Sequence, residues 1–126
     1  MKDNEGKPSE VSLRIFRDVL SSHDNVIKFT EKNDQTFTVE RKKESQSEVC
    51  VFFVDSYTLG VADCIDILKM DSNINCIVLA TKWNKYTEDA KNHMRMQKKG
   101  LFDIAEFMGA LHRDDFWNYF KKNNKK

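Results

Sequence analysis

Glu40-Arg41-Lys42 sets an acid and a base two positions apart at the end of an alternating run, Thr36-Phe37-Thr38-Val39. Residues two apart on a strand share a face, so this carboxylate and ammonium would stand side by side. A carboxylate gives the oxygen ligand that a hard divalent cation prefers, and a lysine beside it can stabilise charge on a phosphate or an attacking hydroxide. The plainer reading of Arg41-Lys42-Lys43-Glu44 is a solvated hairpin. Asp55 is a second candidate. It follows the apolar run Val49-Cys50-Val51-Phe52-Phe53-Val54, so it stands at the carboxyl edge of a central strand, where ligand sites of α/β sheets gather. It can equally cap the helix that follows.

Lys82-Trp83-Asn84-Lys85-Tyr86-Thr87 offers binding rather than bond-breaking. Basic and aromatic side chains alternate there, so Lys82 and Lys85 could pair with phosphates while Trp83 or Tyr86 stacks or wedges. Alternatively the rings pack over a sheet edge and the lysines are solvated. Lys91 begins a basic series with Arg95, Lys98 and Lys99, which either extends a nucleic-acid surface or forms the outer face of a helix.

These residues need a scaffold, and the pattern supplies one. Pro8-Ser9-Glu10 starts a helix over about Ser9 to Ser21, with Val11, Ile15, Val19 and Leu20 near helical spacing beside Leu13 and Phe16. Strands are expected over Val26–Thr30 and Thr36–Glu40, joined at Lys32-Asn33-Asp34-Gln35. Val49–Val54 reads as a central strand covered on both faces. Gly60–Met70 reads as an amphipathic helix with Val61, Cys64, Ile65 and Leu68 on one face. Cys76–Ala80 is a second central strand, parallel to the first across a right-handed crossover. Thr87-Glu88 caps a further helix, and Gly100-Leu101-Phe102 and Glu106–Leu111 close the order as strand and helix. The expectation is an α/β domain with a mixed sheet, in the order αβββαβαβα.

A chain of 126 residues suits one compact domain, expected over residues 8–120, between a polar segment 1–7 and a Lys/Asn-rich tail 121–126. With 21 basic and 20 acidic side chains, there is no global field to attract a polyanion, and any nucleic-acid contact must be local. Cys50, Cys64 and Cys76 lie among apolar neighbours without C-x-x-C spacing, so they read as buried free thiols of a reducing compartment. The amino terminus lacks the apolar core of a secretory signal, and the longest apolar runs fall far short of the ~20 residues that span a bilayer. No membrane association and a cytoplasmic location are expected. Phosphate-binding glycine loops and nucleophile elbows are missing, which argues against covalent hydrolases. Phe107, Met108, Leu111, Phe116, Trp117 and Phe120 are a heavy apolar load for a terminal segment, mostly core, with any surplus available to a homodimer or a protein partner.

Cys76-Ile77-Val78-Leu79-Ala80-Thr81, then Tyr86-Thr87-Glu88-Asp89-Ala90, then Gly100-Leu101-Phe102 is an order that resembles the carboxy-terminal half of Mrr-type domains. Those domains belong to the restriction-endonuclease-like nuclease superfamily, known as PD-(D/E)xK. There a strand ending in Thr leads to an aromatic-Thr-x-x-Ala helix and a short strand beyond. The resemblance implies a restriction-endonuclease-like mixed sheet and a DNA-binding domain whose magnesium-dependent endonuclease activity is weak or lost. It also implies an acid near the second strand and an acid-x-Lys pair on the third. Two registers arise. Glu40 and Lys42 form the pair, with Asp24 or Asp34 as the earlier acid; or Val51–Val54 is the third strand, Asp55 ends it, and the pair is degraded. A mixed site would have Glu40 and Asp55 ligate magnesium while Lys42 or Lys69 reaches in. The alternative function is a non-catalytic interaction or regulatory module of a larger assembly, such as a DNA-defence system. A receiver-like domain is a third, weakened by the β-meander before Val51.

Overall fold

The computed structural model describes residues 6–33 and 35–120. The described residues form four helices and seven strands: α1 (Glu10–Ser22), β1 (Val26–Asn33), β2 (Thr36–Arg41), β3 (Val49–Val54), β4 (Thr58–Leu59), α2 (Val61–Met70), β5 (Cys76–Leu79), β6 (Lys85–Tyr86), α3 (Glu88–Met96), β7 (Gly100–Phe102) and α4 (Ile104–Ala110), followed by a 3-10 turn. The main sheet is mixed, with strand order β1-β2-β3-β5-β7. β1, β2 and β3 form an antiparallel meander, and β3, β5 and β7 run parallel. The antiparallel meander is incompatible with the five repeated βα units of a receiver domain.

Side chains alternate across this sheet and divide the core into two layers. Val49, Val51 and Phe53 of β3 pack with Cys76, Val78 and Phe102 against Leu13, Phe16 and Leu20 of α1 and Phe107 and Ala110 of α4. Phe52 and Val54 pack with Ile77, Leu79 and Leu101 against Cys64 and Ile67 of α2 and Ala90 and Met94 of α3. Because β3 is buried on both faces, its sequence shows no polar alternation.

Local chemistry sets the ends of these elements. The Ser9 hydroxyl accepts from the Ser12 amide at 3.1 Å, and Glu10 stands in the positive first turn of α1. Asn33 turns the first hairpin, its side-chain oxygen accepting from the Gln35 and Thr36 amides, each at 2.9 Å. The Gly60 amide donates to the Asp63 carboxylate at 2.9 Å, starting α2. Arg41 is 4% exposed and its guanidinium donates to the carbonyls of Ser47, Leu111 and Arg113, tying the second hairpin to the negative end of α4.

Two apolar faces differ from expectation. α1 buries Leu13, Phe16 and Leu20 while Val11 and Ile15 are 58% and 51% exposed. Both sets recur at helical spacing, and one helix presents only one of them to the sheet. α2 likewise buries Cys64 and Ile67 and leaves Ile65 exposed. The three cysteines are free. Burial pushes the Cys64 thiol up to about 12, which removes its reactivity at neutral pH. Among the described residues, no helix is long and apolar enough to cross a membrane.

Candidate functional site

The parallel strands bring three chain segments to one rim. Val54 pairs with Leu79 and Val78 with Phe102, so Asp55, Thr81 and Asp103 leave the sheet on the same side. Two short strands then tie the loops together. β4 and β6 pair in parallel, Thr58 with Lys85 and Leu59 with Tyr86, and the Lys85 and Thr87 amides donate to the Tyr57 and Leu59 carbonyls at 3.0 Å each. The loop after β3 is thereby held against the loop after β5.

Asn84 locks the arrangement and is only 6% exposed. Its side-chain oxygen accepts from the Thr81 amide at 3.1 Å, and its amide group donates to Asp55 Oδ1 at 3.1 Å. Asp55 therefore belongs to the rim rather than capping α2. Asn84 was not singled out in the sequence reading. Its signal was Thr81-Lys82-Trp83-Asn84 itself, an amide side chain three residues after Thr81 in the loop that follows a strand, where Asn commonly bonds nearby backbone.

Between this rim and the start of α1 lies a cleft of about 970 Å³, lined by Asp55, Leu79 to Trp83, Asp103 to Ala105 and Met108, with Ser9, Val11, Ser12 and Ile15 opposite. Its walls are chiefly apolar. Trp83 is 65% exposed and Met108 41%. Asp103 caps α4, its Oδ1 accepting from the Glu106 amide at 2.8 Å. Thr81 Oγ1 is buried without a hydrogen-bond partner. Lys82 and Lys85 are exposed at the loop.

Glu40 and Lys42 lie elsewhere. Val39 pairs with Val49, so Glu40 stands beside the beginning of β3, whereas Asp55 follows its end. At about 3.3 Å per residue the two carboxylates are roughly 20 Å apart, and one magnesium, held at about 2.1 Å from each ligand, cannot bridge them. The expected shared metal site of Glu40 and Asp55 is therefore not formed. Arg41 points inward, so alternation turns Glu40 and Lys42 outward. Glu40 faces Lys28 of β1 at 3.5 Å, and Lys42 is exposed, with its amide donating to the Asn25 carbonyl. Asp24 is exposed in the turn before β1, Lys69 is exposed on α2, and Asp34 lies outside the described residues. Among the described residues no three His, Cys, Asp or Glu side chains come together as a metal site.

Lys91 and Tyr86 are also placed differently from the nucleic-acid surface expected of them. Lys91 is 2% exposed; Ala90, Lys91 and Met94 form the buried face of α3. Its Nζ donates to the Leu101 carbonyl at 2.6 Å and sits 4.2 Å from the centre of the Phe102 ring and 5.3 Å from that of Tyr86. The Tyr86 hydroxyl donates to the buried Glu106 carboxylate at 2.8 Å. The basic and aromatic pattern in this region thus divides, with Lys82, Trp83 and Lys85 outward and Tyr86 and Lys91 inward.

This inward group gives stability a distinctive alkaline profile. Burial lowers Lys91 below its usual 10.5, against the raising influence of Glu106. Between that lowered value and 10.5 the unfolded chain holds a proton that the folded chain has released, so stability rises with pH. Burial, and then the hydrogen bond to Glu106, raise Tyr86 above its usual 10.0. The folded chain then keeps a proton that the unfolded chain loses, so stability falls as pH climbs past 10. The Cys64 and Cys76 thiols, also raised by burial, add to the fall once pH passes their usual 9.0. In urea midpoints followed through the alkaline range, Lys91→Met should therefore steepen the net fall, and Tyr86→Phe should make it shallower without abolishing it.

Comparisons with family models, with curated proteins and with solved structures return no match to this chain.

Proposed function

We propose that this chain is a restriction-endonuclease-like domain that binds DNA at the carboxyl rim of its parallel strands and has lost metal-dependent cleavage. One observation carries the reading: β3 and β5 run parallel and bring Asp55 and the basic, aromatic loop around Trp83 to one cleft. A β-meander followed by a parallel crossover is also the strand order of that superfamily. Lys82 and Lys85 supply the local positive charge that the near-neutral chain as a whole lacks, and Trp83 supplies a stacking surface. The separation of Glu40 from Asp55 supports the loss of cleavage, because the Glu40 and Lys42 pair does not reach the rim at which Asp55 stands.

The test is retention of a short DNA at low salt, followed as salt rises, with cleavage assayed in magnesium and in manganese. Binding that weakens steeply with salt, without nicking, is the expected result. Glu40→Gln and Lys42→Ala should bind like the unsubstituted protein. Failure to retain DNA at low salt overturns the reading. Nicking abolished by Glu40→Gln would restore a catalytic role to that carboxylate.

A second reading, a protein-interaction module of a larger assembly, is favoured by the exposed Val11, Ile15, Trp83 and Met108 around the same cleft. The terminal aromatic segment adds little to it. Phe107 and Phe116 are buried and Trp117 and Tyr119 pack against the core, leaving Phe120 exposed. A stable oligomer in light scattering, with no salt-sensitive DNA retention, would select this second reading.

A further inference from the structure

The geometry points to a base-reading pocket: the cleft takes one unpaired nucleobase of a single DNA strand, stacked on Trp83, with guanine preferred. This rests on the DNA-binding reading and gives that site a substrate class. Both signs of charge meet at the cleft. Lys82 lines it together with Asp55, Thr81 and Asp103, and Lys85 is exposed farther along the same loop. A phosphate among those carboxylates would be repelled, so the backbone belongs at the lysines and the base enters.

The apolar walls suit the faces of a base. Trp83 is 65% exposed, and Val11 and Ile15 of α1 and Met108 of α4 also line the cleft. Base-on-indole stacking tolerates any base, so selectivity must come from the polar groups. Asp55 has one oxygen engaged by Asn84, Asp103 has one engaged by the Glu106 amide, and Thr81 Oγ1 is buried with no partner. The two carboxylates offer acceptors to the cleft, beside the Lys82 ammonium and the Ser9 and Ser12 hydroxyls that also line it. Guanine presents two adjacent donors on its Watson–Crick edge, the ring N1–H and the exocyclic amine, which match the two oxygens of a carboxylate, since an oxygen that already accepts one N–H keeps a second lone pair. Adenine and cytosine offer one amine beside an accepting ring nitrogen, and thymine sets its single N–H between two carbonyls. That edge is free only in a single strand or an extruded base.

The experiment uses the full chain and an oligonucleotide of eleven thymidines, compared with the same strand carrying one central dG, dA or dC and with a duplex containing the central dG. Binding is read by anisotropy and by the indole N–H resonance of Trp83. The dG strand should bind about tenfold more tightly than the all-thymidine strand, with the duplex weaker, and should shift the Trp83 resonance. Asp55→Asn keeps an oxygen for Asn84, and Asp103→Asn keeps a helix cap. Each should reduce the guanine preference, read as the ratio of dG-strand to all-thymidine affinity within the same variant, to about twofold or less. A purely structural role would weaken all strands together, and that result overturns the inference. Equal affinity for every single strand, or a preference for duplex without movement of Trp83, also overturns it and leaves the DNA-binding reading standing. No salt-sensitive retention of any DNA removes that reading and the pocket with it.

Discussion

Phe16→Ala is expected to lower the free energy of unfolding by about 4 kcal/mol, measured by urea denaturation at neutral pH. Phe16 is fully buried, stacked on Phe53 with ring centres 4.2 Å apart and edge-on to Phe37 at 5.1 Å. It also approaches Phe107 of α4 at 5.8 Å. Truncation removes a ring's worth of apolar burial, leaves a cavity among three rings that cannot readily collapse, and forfeits favourable ring contacts. A domain of this size has a total stability of about 5–15 kcal/mol, so the variant should be partly unfolded well below the midpoint of the parent. Phe16→Leu refills most of the space and should cost about 1–2 kcal/mol. A loss below about 1 kcal/mol for Phe16→Ala would mean that α1 is not anchored where this core places it. The site is affected too. Phe16 fastens the helix whose Val11 and Ile15 form the wall facing Trp83, so a loosened α1 should broaden the Trp83 indole resonance even in the residual folded molecules.

What the sequence made legible follows from which physical signals are local. Val49–Val54 and Cys76–Leu79 were readable because a strand buried on both faces has an uninterrupted apolar run, and β-branched residues in both runs favour strand over helix. Ser9, Thr87 and the Glu88 turn announced helix starts because caps act within three residues. The face of α1 was misread because Val11 and Ile15 have the same spacing as Leu13, Phe16 and Leu20, and only the sheet decides which set is covered. β4 and β6 are two residues each and carry no periodicity, yet they clamp Asp55 to the Trp83 loop. The separation of Glu40 from Asp55 was implied by the hairpin expected between β2 and β3, and the mixed site overlooked it. An antiparallel hairpin sends the end of one strand to the beginning of the next, so adjacent strands did not mean adjacent carboxylates. Lys91 misled because charge is usually solvated, whereas here a carbonyl, three rings and a nearby carboxylate accommodate a buried ammonium.

The double variant Lys82→Glu/Lys85→Glu should weaken retention of an oligonucleotide by at least about a hundredfold at about 50 mM salt. Each phosphate contact made by a lysine releases a condensed counterion, which at that salt is worth roughly tenfold in affinity, and reversing the charge adds repulsion to the loss. The slope of log affinity against log salt should also become shallower by about two, one for each contact removed. This second readout separates direct contact from misfolding, because a partly unfolded protein binds less at every salt without changing the number of contacts made by its folded fraction. Both lysines are exposed and appear in no ion pair among the described residues, so surface substitution there should change stability by no more than about 0.5 kcal/mol. Lys28→Glu serves as the control. It carries the same change of charge as either rim substitution alone, on β1 away from the rim, and breaks only the exposed pair with Glu40 at 3.5 Å. If Lys28→Glu weakened binding as much as either rim lysine substituted singly, retention would be a response to net charge, and the carboxyl rim would have no special claim on the DNA.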